Sequence, residues 1–96
     1  MNTLTQLPEF AAWFNKLSDP KAKQRINARI VAAQVGNFGD CESVGEGVSE
    51  MRIHYGPGYR VYLKRTGAVV YVLLCGGSKS GQQNDIKRAK KLAKLL

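Results

Sequence analysis

Histidine is almost missing from this chain: His54 is the only one among 96 residues. Cysteine occurs twice, at Cys41 and Cys75, and with His54 these residues match no metal-ligand spacing. No metal site and no cofactor are therefore expected, and two isolated cysteines read more readily as free thiols than as a disulfide. Long apolar runs are absent as well. None approaches the ~18–20 residues of a membrane span, and the N-terminus has no signal-peptide pattern, so the expectation is a cytoplasmic protein without membrane contact. Acid is scarce: seven Asp and Glu stand against fifteen Lys and Arg, for a net charge of +8. That excess points to a polyanionic partner, whether RNA, DNA or an acidic protein segment. The length suffices for one core but not two, so residues 1–96 are read as a single domain.

What the chain does have is a run from Glu50 to Leu74 that folds on paper into a three-stranded meander. The breaks at Gly56-Pro57-Gly58 and Thr66-Gly67 carry turn residues. Placing Tyr55 opposite Tyr59 pairs His54 with Arg60, Ile53 with Val61, Arg52 with Tyr62, Met51 with Leu63 and Glu50 with Lys64. A two-residue turn at Thr66-Gly67 then pairs Leu63 with Val70, Tyr62 with Tyr71, Val61 with Val72 and Tyr59 with Leu74. Side chains alternate along a strand, so this register sorts them onto two faces. Met51, Ile53, Tyr55, Tyr59, Val61, Leu63, Val70, Val72 and Leu74 make a core face. Glu50, Arg52, His54, Arg60, Tyr62, Lys64 and Tyr71, with Val69 and Leu73, make the other, on which a site is expected.

Ahead of the meander, Thr3–Leu7 suits an edge strand or a frayed arm. Pro8 and Glu9 suit a first helical turn, and Phe10, Trp13, Phe14 and Leu17 recur at helical spacing as a core stripe. Asp19 as N-cap and Pro20 at the first helical position open a second helix to about Val35, which Gly36-Asn37 stops. Its stripe is Ala22, Ile26, Ile30 and Ala33; Lys21, Lys23, Arg25 and Arg29 lie largely off it. The pattern predicts a helical hairpin packed on the core face of the meander. Residues 36–47 are glycine-rich and without periodicity, and read as a loop that lacks a phosphate-binding spacing. A last helix, roughly Gln83 to Leu96, lines up Ile86, Ala89, Leu92, Ala93 and Leu96 for packing. Its basic residues Lys87, Arg88, Lys90, Lys91 and Lys94 fill the remaining surface.

The polar face has residue types suited to phosphate chemistry. Arginine stays protonated, so Arg52 and Arg60 can clamp a phosphate or stabilise charge developing on it, but cannot shuttle protons. His54 and Glu50 are the candidate general bases, and Lys79, just past the third strand, can bind phosphate or donate a proton. Tyr62 and Tyr71 can stack on a base or orient a phosphate. Lys64, with Lys87 and Arg88 on the last helix, can steer an RNA backbone.

Four stretches together resemble a known family. They are Gly47-Val48-Ser49-Glu50-Met51-Arg52, Tyr55-Gly56-Pro57-Gly58-Tyr59-Arg60-Val61-Tyr62, Cys75-Gly76-Gly77-Ser78-Lys79, and Asp85-Ile86 followed by Ala89-Lys90. With the helical hairpin before them, they are similar to the RelE/ParE toxin superfamily, and within it to the phage-related HigB-like "addiction module killer protein" group of type II toxin–antitoxin systems. The resemblance implies an α+β fold: a helical hairpin on a twisted, mainly antiparallel sheet, followed by a basic C-terminal helix. It also implies an mRNA interferase that works on the ribosome and is neutralised by a cognate antitoxin, of helix-turn-helix type with an acidic segment. Cleavage in RelE-like members needs no metal; the 2′-hydroxyl of the RNA attacks the adjacent phosphate. That chemistry asks for a base (Glu50 or His54), a clamp (Arg52 and Arg60) and an acid (Lys79 or Tyr62). The ParE-like branch of the superfamily implies instead a non-enzymatic toxin that inhibits DNA gyrase. The chain departs from many ribonuclease members in carrying Glu50, Arg52 and His54 where they have more lysines, and in having no aromatic residue after Tyr71.

Overall fold

Two prolines and one aspartate set the helical hairpin. In the computed structural model, which describes residues 1–96, strand β1 (Thr3–Gln6) leads into helix α1 (Pro8–Lys16), with Pro8 in the first turn. Asp19 caps helix α2 (Pro20–Gln34), its carboxylate accepting from the backbone N–H of Lys21 at 2.9 Å and Ala22 at 3.4 Å. Gly36, at φ +90°, ends that helix, and its N–H donates back to the Ala33 carbonyl at 3.0 Å. Four antiparallel strands follow: β2 (Cys41–Gly45), β3 (Val48–Ile53), β4 (Tyr59–Arg65) and β5 (Val70–Ser78). A single 3₁₀ turn (Lys79–Gly81) then opens helix α3 (Gln82–Lys94). The sheet has five strands in the order β1-β5-β4-β3-β2, and β1 runs parallel to β5. The α+β architecture, the hairpin and the basic C-terminal helix are as expected, and Thr3–Gln6 is an edge strand.

The loop expected at 36–47 is in part a strand. Cys41–Gly45 pairs antiparallel with β3, Cys41 opposite Met51 and Glu42 opposite Glu50, and turns back through Gly45, Glu46 and Gly47, all at positive φ. Its five residues carry only Cys41 and Val44 as apolar residues, three apart and so out of strand alternation, which announces no strand.

The first meander hairpin pairs Ile53, not Tyr55, with Tyr59; Arg52 then faces Arg60, Met51 faces Val61, Glu50 faces Tyr62 and Val48 faces Lys64. An even slip leaves every side chain on its expected face. Tyr55 leaves the strand because its hydroxyl donates to Asp19 at 3.0 Å and its ring lies under the Arg25 guanidinium, 4.8 Å away. The second hairpin differs by an odd step: Leu63 pairs with Leu73 rather than Val70, and Arg65 with Tyr71. The turn there is wider than two residues, held by Arg65 donating to the carbonyls of Gly67 (3.0 Å) and Ala68 (2.7 Å). An odd slip reverses a strand's faces, so Tyr71 and Leu73 join the helical-hairpin side, and Val72 and Leu74 the opposite side. Tyr71 is therefore not a partner of Tyr62; it packs on Phe38 with ring centroids 5.0 Å apart. A bulge at Leu74 then brings Cys75 opposite Tyr62 and Gly77 opposite Arg60.

The sheet has a core on each face. Phe10 and Ile26 from the hairpin bury Met51, Ile53, Val61, Leu63 and Leu73. On the other side α3 lays Ala89 and Ala93 against Val48, Tyr62, Leu74 and Cys75. The open outer hollow expected on this second face is thus covered. Small residues on α3 let the helix approach, and Gly77 does the same from the sheet: a Cβ there would collide with the Asp85 carboxylate.

Candidate functional site

Glu50 sits beneath the N-terminal end of α3 and is completely buried. A buried carboxylate is tolerable only when its lone pairs are filled. Here Oε1 accepts from Arg52 Nε at 3.0 Å and Arg60 Nη1 at 3.1 Å, and Oε2 accepts from the Tyr62 hydroxyl at 2.9 Å. Gln82, in the first turn of α3, adds its amide at 3.2 and 3.0 Å. Burial pushes the Glu50 carboxyl upward, but the bonds from Tyr62, Gln82 and Arg52 and the charge of Arg60 outweigh it and hold the group below its ordinary range. The same contacts push the Tyr62 hydroxyl the other way: burial first, then the Glu50 carboxylate beside it, raise its pKa well above the usual value.

The two arginines that share Glu50 therefore lie on one side of the sheet. Their environments differ. Arg52 is 24% exposed and meets three carboxylates, Asp40 at 3.3 Å, Glu42 at 3.2 Å and Glu50 at 3.0 Å, which keep its guanidinium firmly charged. Arg60 is only 11% exposed and has Glu50 alone, and its Nε is buried without a hydrogen-bond partner.

Asp40 ties His54 to this network. Its Oδ2 lies 2.6 Å from His54 Nε2 while Oδ1 faces Arg52. The hydrogen bond from His54 is the main reason the Asp40 carboxyl is held below its ordinary range. In the neutral tautomer whose Nε2–H donates to that carboxylate, Nδ1 is the ring's free acceptor. His54 is 72% exposed, so that nitrogen is open to solvent.

Strand register places the other expected residues. The row Arg52–Arg60–Gly77 is followed outward by Ile53–Tyr59–Ser78. His54, Gly58 and Lys79 come next at the same end of the sheet, with the Lys79 N–H donating to the Gly58 carbonyl at 2.7 Å. Glu50, Arg52, His54, Arg60, Tyr62 and Lys79 thus gather at one end of three strands. Lys64 does not join them: its Nζ reaches the Ala93 carbonyl at 3.3 Å, near the far end of α3. Tyr71 is on the opposite face, and Lys87 and Arg88 are exposed on α3. Asp40, Glu42 and Gln82 complete the constellation and were not singled out from sequence. Asp40 and Glu42 flank an inward Cys41 in the strand alternation, a signal too short to act on, and nothing in the chain links Gln82 to a carboxylate 32 residues earlier.

No model of a known protein family matches the chain. A solved structure, that of the isolated E. coli RelE toxin, superposes with a TM-score of 0.68 at 14% identity, covering 92% of this chain and 98% of that one. An uncharacterized protein of Haemophilus influenzae is 55% identical over 87 residues, 91% of this chain and 88% of the relative. The fold is thus RelE-like, and the chain belongs to the same family as that Haemophilus influenzae protein.

Proposed function

We propose that the chain is the toxin of a toxin–antitoxin pair and an endoribonuclease that cuts mRNA on the ribosome. The observation that carries this reading is the meeting, at one end of the sheet, of an exposed histidine oriented by Asp40 with two arginines anchored by a buried glutamate. The E. coli protein of like fold is a RelE toxin. The HigB-like motifs and the net charge of +8 add to the support.

In this reading His54 Nδ1 takes the proton from an RNA 2′-hydroxyl. The 2′-oxygen attacks the adjacent phosphorus while the bond to the 5′-oxygen breaks, and the Lys79 ammonium gives a proton to that leaving oxygen. The products are a 2′,3′-cyclic phosphate and a 5′-hydroxyl. Arg60 and Arg52 hold the non-bridging oxygens as negative charge grows on them. Glu50 is the anchor that aims both guanidinium groups, since its lone pairs are filled and no solvent reaches it. Tyr62 has its hydroxyl committed to Glu50, which leaves the acid role to Lys79. A cognate antitoxin with an acidic segment covers the basic surface, and its binding weakens as salt rises.

The test is brief expression in bacteria, followed by mapping of the 5′ ends of cellular mRNA. Halted translation with new ends inside coding regions is expected, and an Arg60→Ala variant should produce none while still binding antitoxin. Filamentation with intact mRNA would instead mark the gyrase-inhibiting reading and overturn the nuclease.

A further inference from the structure

Helix α2 carries Lys21, Lys23, Arg25 and Arg29 and not one acid. Lys21, Arg25 and Arg29 recur every fourth residue and so form one stripe, successive members ~6 Å apart along the axis. Elsewhere, carboxylates engage Arg52 (three of them), Arg60 (Glu50), Lys90 and Lys94 (both Glu46). On α2 no cation is in an ion pair. Arg25 rests on the Tyr55 ring and makes no ion pair. Arg29 gives its guanidinium to backbone carbonyls, those of Arg52, Phe38 (2.8 Å) and Asp40 (3.3 Å), and meets no carboxylate. Gly39, at φ +63°, is required for this, because a Cβ there would lie 2.7 Å from Arg29 Nη2. Both arginines, with Ala28, Ile53 and His54, line a cavity of about 320 Å³, at the low end of the range for small-ligand sites. The Asp40 carboxylate is already engaged by His54 and Arg52, and that of Asp19 by the Tyr55 hydroxyl.

We infer that this α2 groove is a second phosphate subsite, which holds the RNA backbone next to the nucleotide being cut. The inference rests on the nuclease reading, because His54 is common to both sites: one edge of its ring faces Asp40 and the reacting end of the sheet, and the ring also lines the groove. An RNA strand clamped by Arg60 and Arg52 would pass His54 and lay its neighbouring phosphate between Arg25 and Arg29. Two guanidinium groups without a countercharge are what such a phosphate requires. Arg25 packs on Tyr55 and Arg29 staples three backbone carbonyls, but neither contact neutralises the charge, which is left for a phosphate.

Two exposed positions test it without disturbing the Arg29 staple: Arg25→Gln removes one cation, and Ala28→Glu places a carboxylate in the cavity. Binding of a single-stranded RNA decamer with 2′-deoxy substitution, which cannot be cut, is followed by fluorescence anisotropy across a salt series. The isolated imidazole signal of His54, the chain's only histidine, is followed by NMR. Wild type should bind with a salt slope of about −0.7 per phosphate held. Each variant should bind about tenfold more weakly, with a slope shallower by about one phosphate, and the His54 response to RNA should shrink. Wild-type binding with unchanged affinity and slope in both variants would overturn the subsite and leave the nuclease reading standing. No wild-type binding at all would overturn the subsite, while cleavage on translating ribosomes decides the nuclease reading separately. A Glu decamer that displaces the RNA from the groove at equal concentration would assign the groove to an acidic protein segment, and that too would overturn the inference.

Discussion

Glu50→Gln is the sharpest perturbation of the buried network, because it keeps the volume and removes only the charge. The carboxylate now satisfies Arg52, Arg60, Tyr62 and Gln82 at once. An amide offers one acceptor oxygen and turns its own N–H₂ towards those donors. Breaking a buried ion pair from one side costs about 3–5 kcal/mol, and the lower end applies here because Arg52 keeps Asp40 and Glu42. A loss of about 3 kcal/mol is large against a typical total of ~5–15 kcal/mol. With a urea slope near ~1.5 kcal/mol per molar, the unfolding midpoint should fall by about 2 M. Trp13, the only tryptophan, reports the transition by its fluorescence. The effect should also depend on pH. The folded-state pKa of Glu50 is depressed, so its contribution is fully present above the unfolded value of ~4.3 and is lost as pH falls through the lower folded value. Wild type should therefore lose more stability than the variant between neutral pH and acid. A variant within 1 kcal/mol of wild type, with the same acid dependence, would refute the claim that charge holds this network together.

Two further outcomes follow from the α3 face. Gly77→Ala should dislodge the first turns of α3, since the new methyl lands in the Asp85 carboxylate; amide hydrogen exchange should show residues 82–86 losing protection, and adding Asp85→Ala should restore it in part. The thiol of Cys75, fully buried, has its pKa pushed up to about 11 by desolvation, and that of half-buried Cys41 is raised for the same reason. Alkylation at pH 7.5 should therefore modify Cys41 slowly and Cys75 only after unfolding, as read by intact mass; rapid labelling of Cys75 in the folded chain would contradict the packing of α3.

Much of this architecture is legible from local chemistry. Pro8, Asp19 and Pro20 place two helix starts, and alternation along Met51–Ile53 and Tyr59–Leu63 sorts core from polar side chains even when the pairing slips by two. What escapes is set by distant contacts. The parity of β5 depends on a wide turn held by Arg65 and on a bulge at Leu74, neither of which alternation can express. The depth of Glu50 depends on α3 closing over it. The site divides in the same way: Arg52, Arg60 and His54 stand out as residue types on or beside a strand, whereas Asp40, which orients His54, lies just ahead of a strand with almost no apolar signature.

In the proposed reaction His54, held by Asp40, and Arg60, held by Glu50, cut RNA by activating its own 2′-hydroxyl. The most direct measurement is to incubate the purified chain with translating ribosomes and identify the chemical ends of the mRNA fragments. A 2′,3′-cyclic phosphate and a 5′-hydroxyl are expected, with cleavage by His54→Ala slowed by about 10²–10⁴. Fragments with a 5′-phosphate, or undiminished cleavage by the His54→Ala chain, would contradict it.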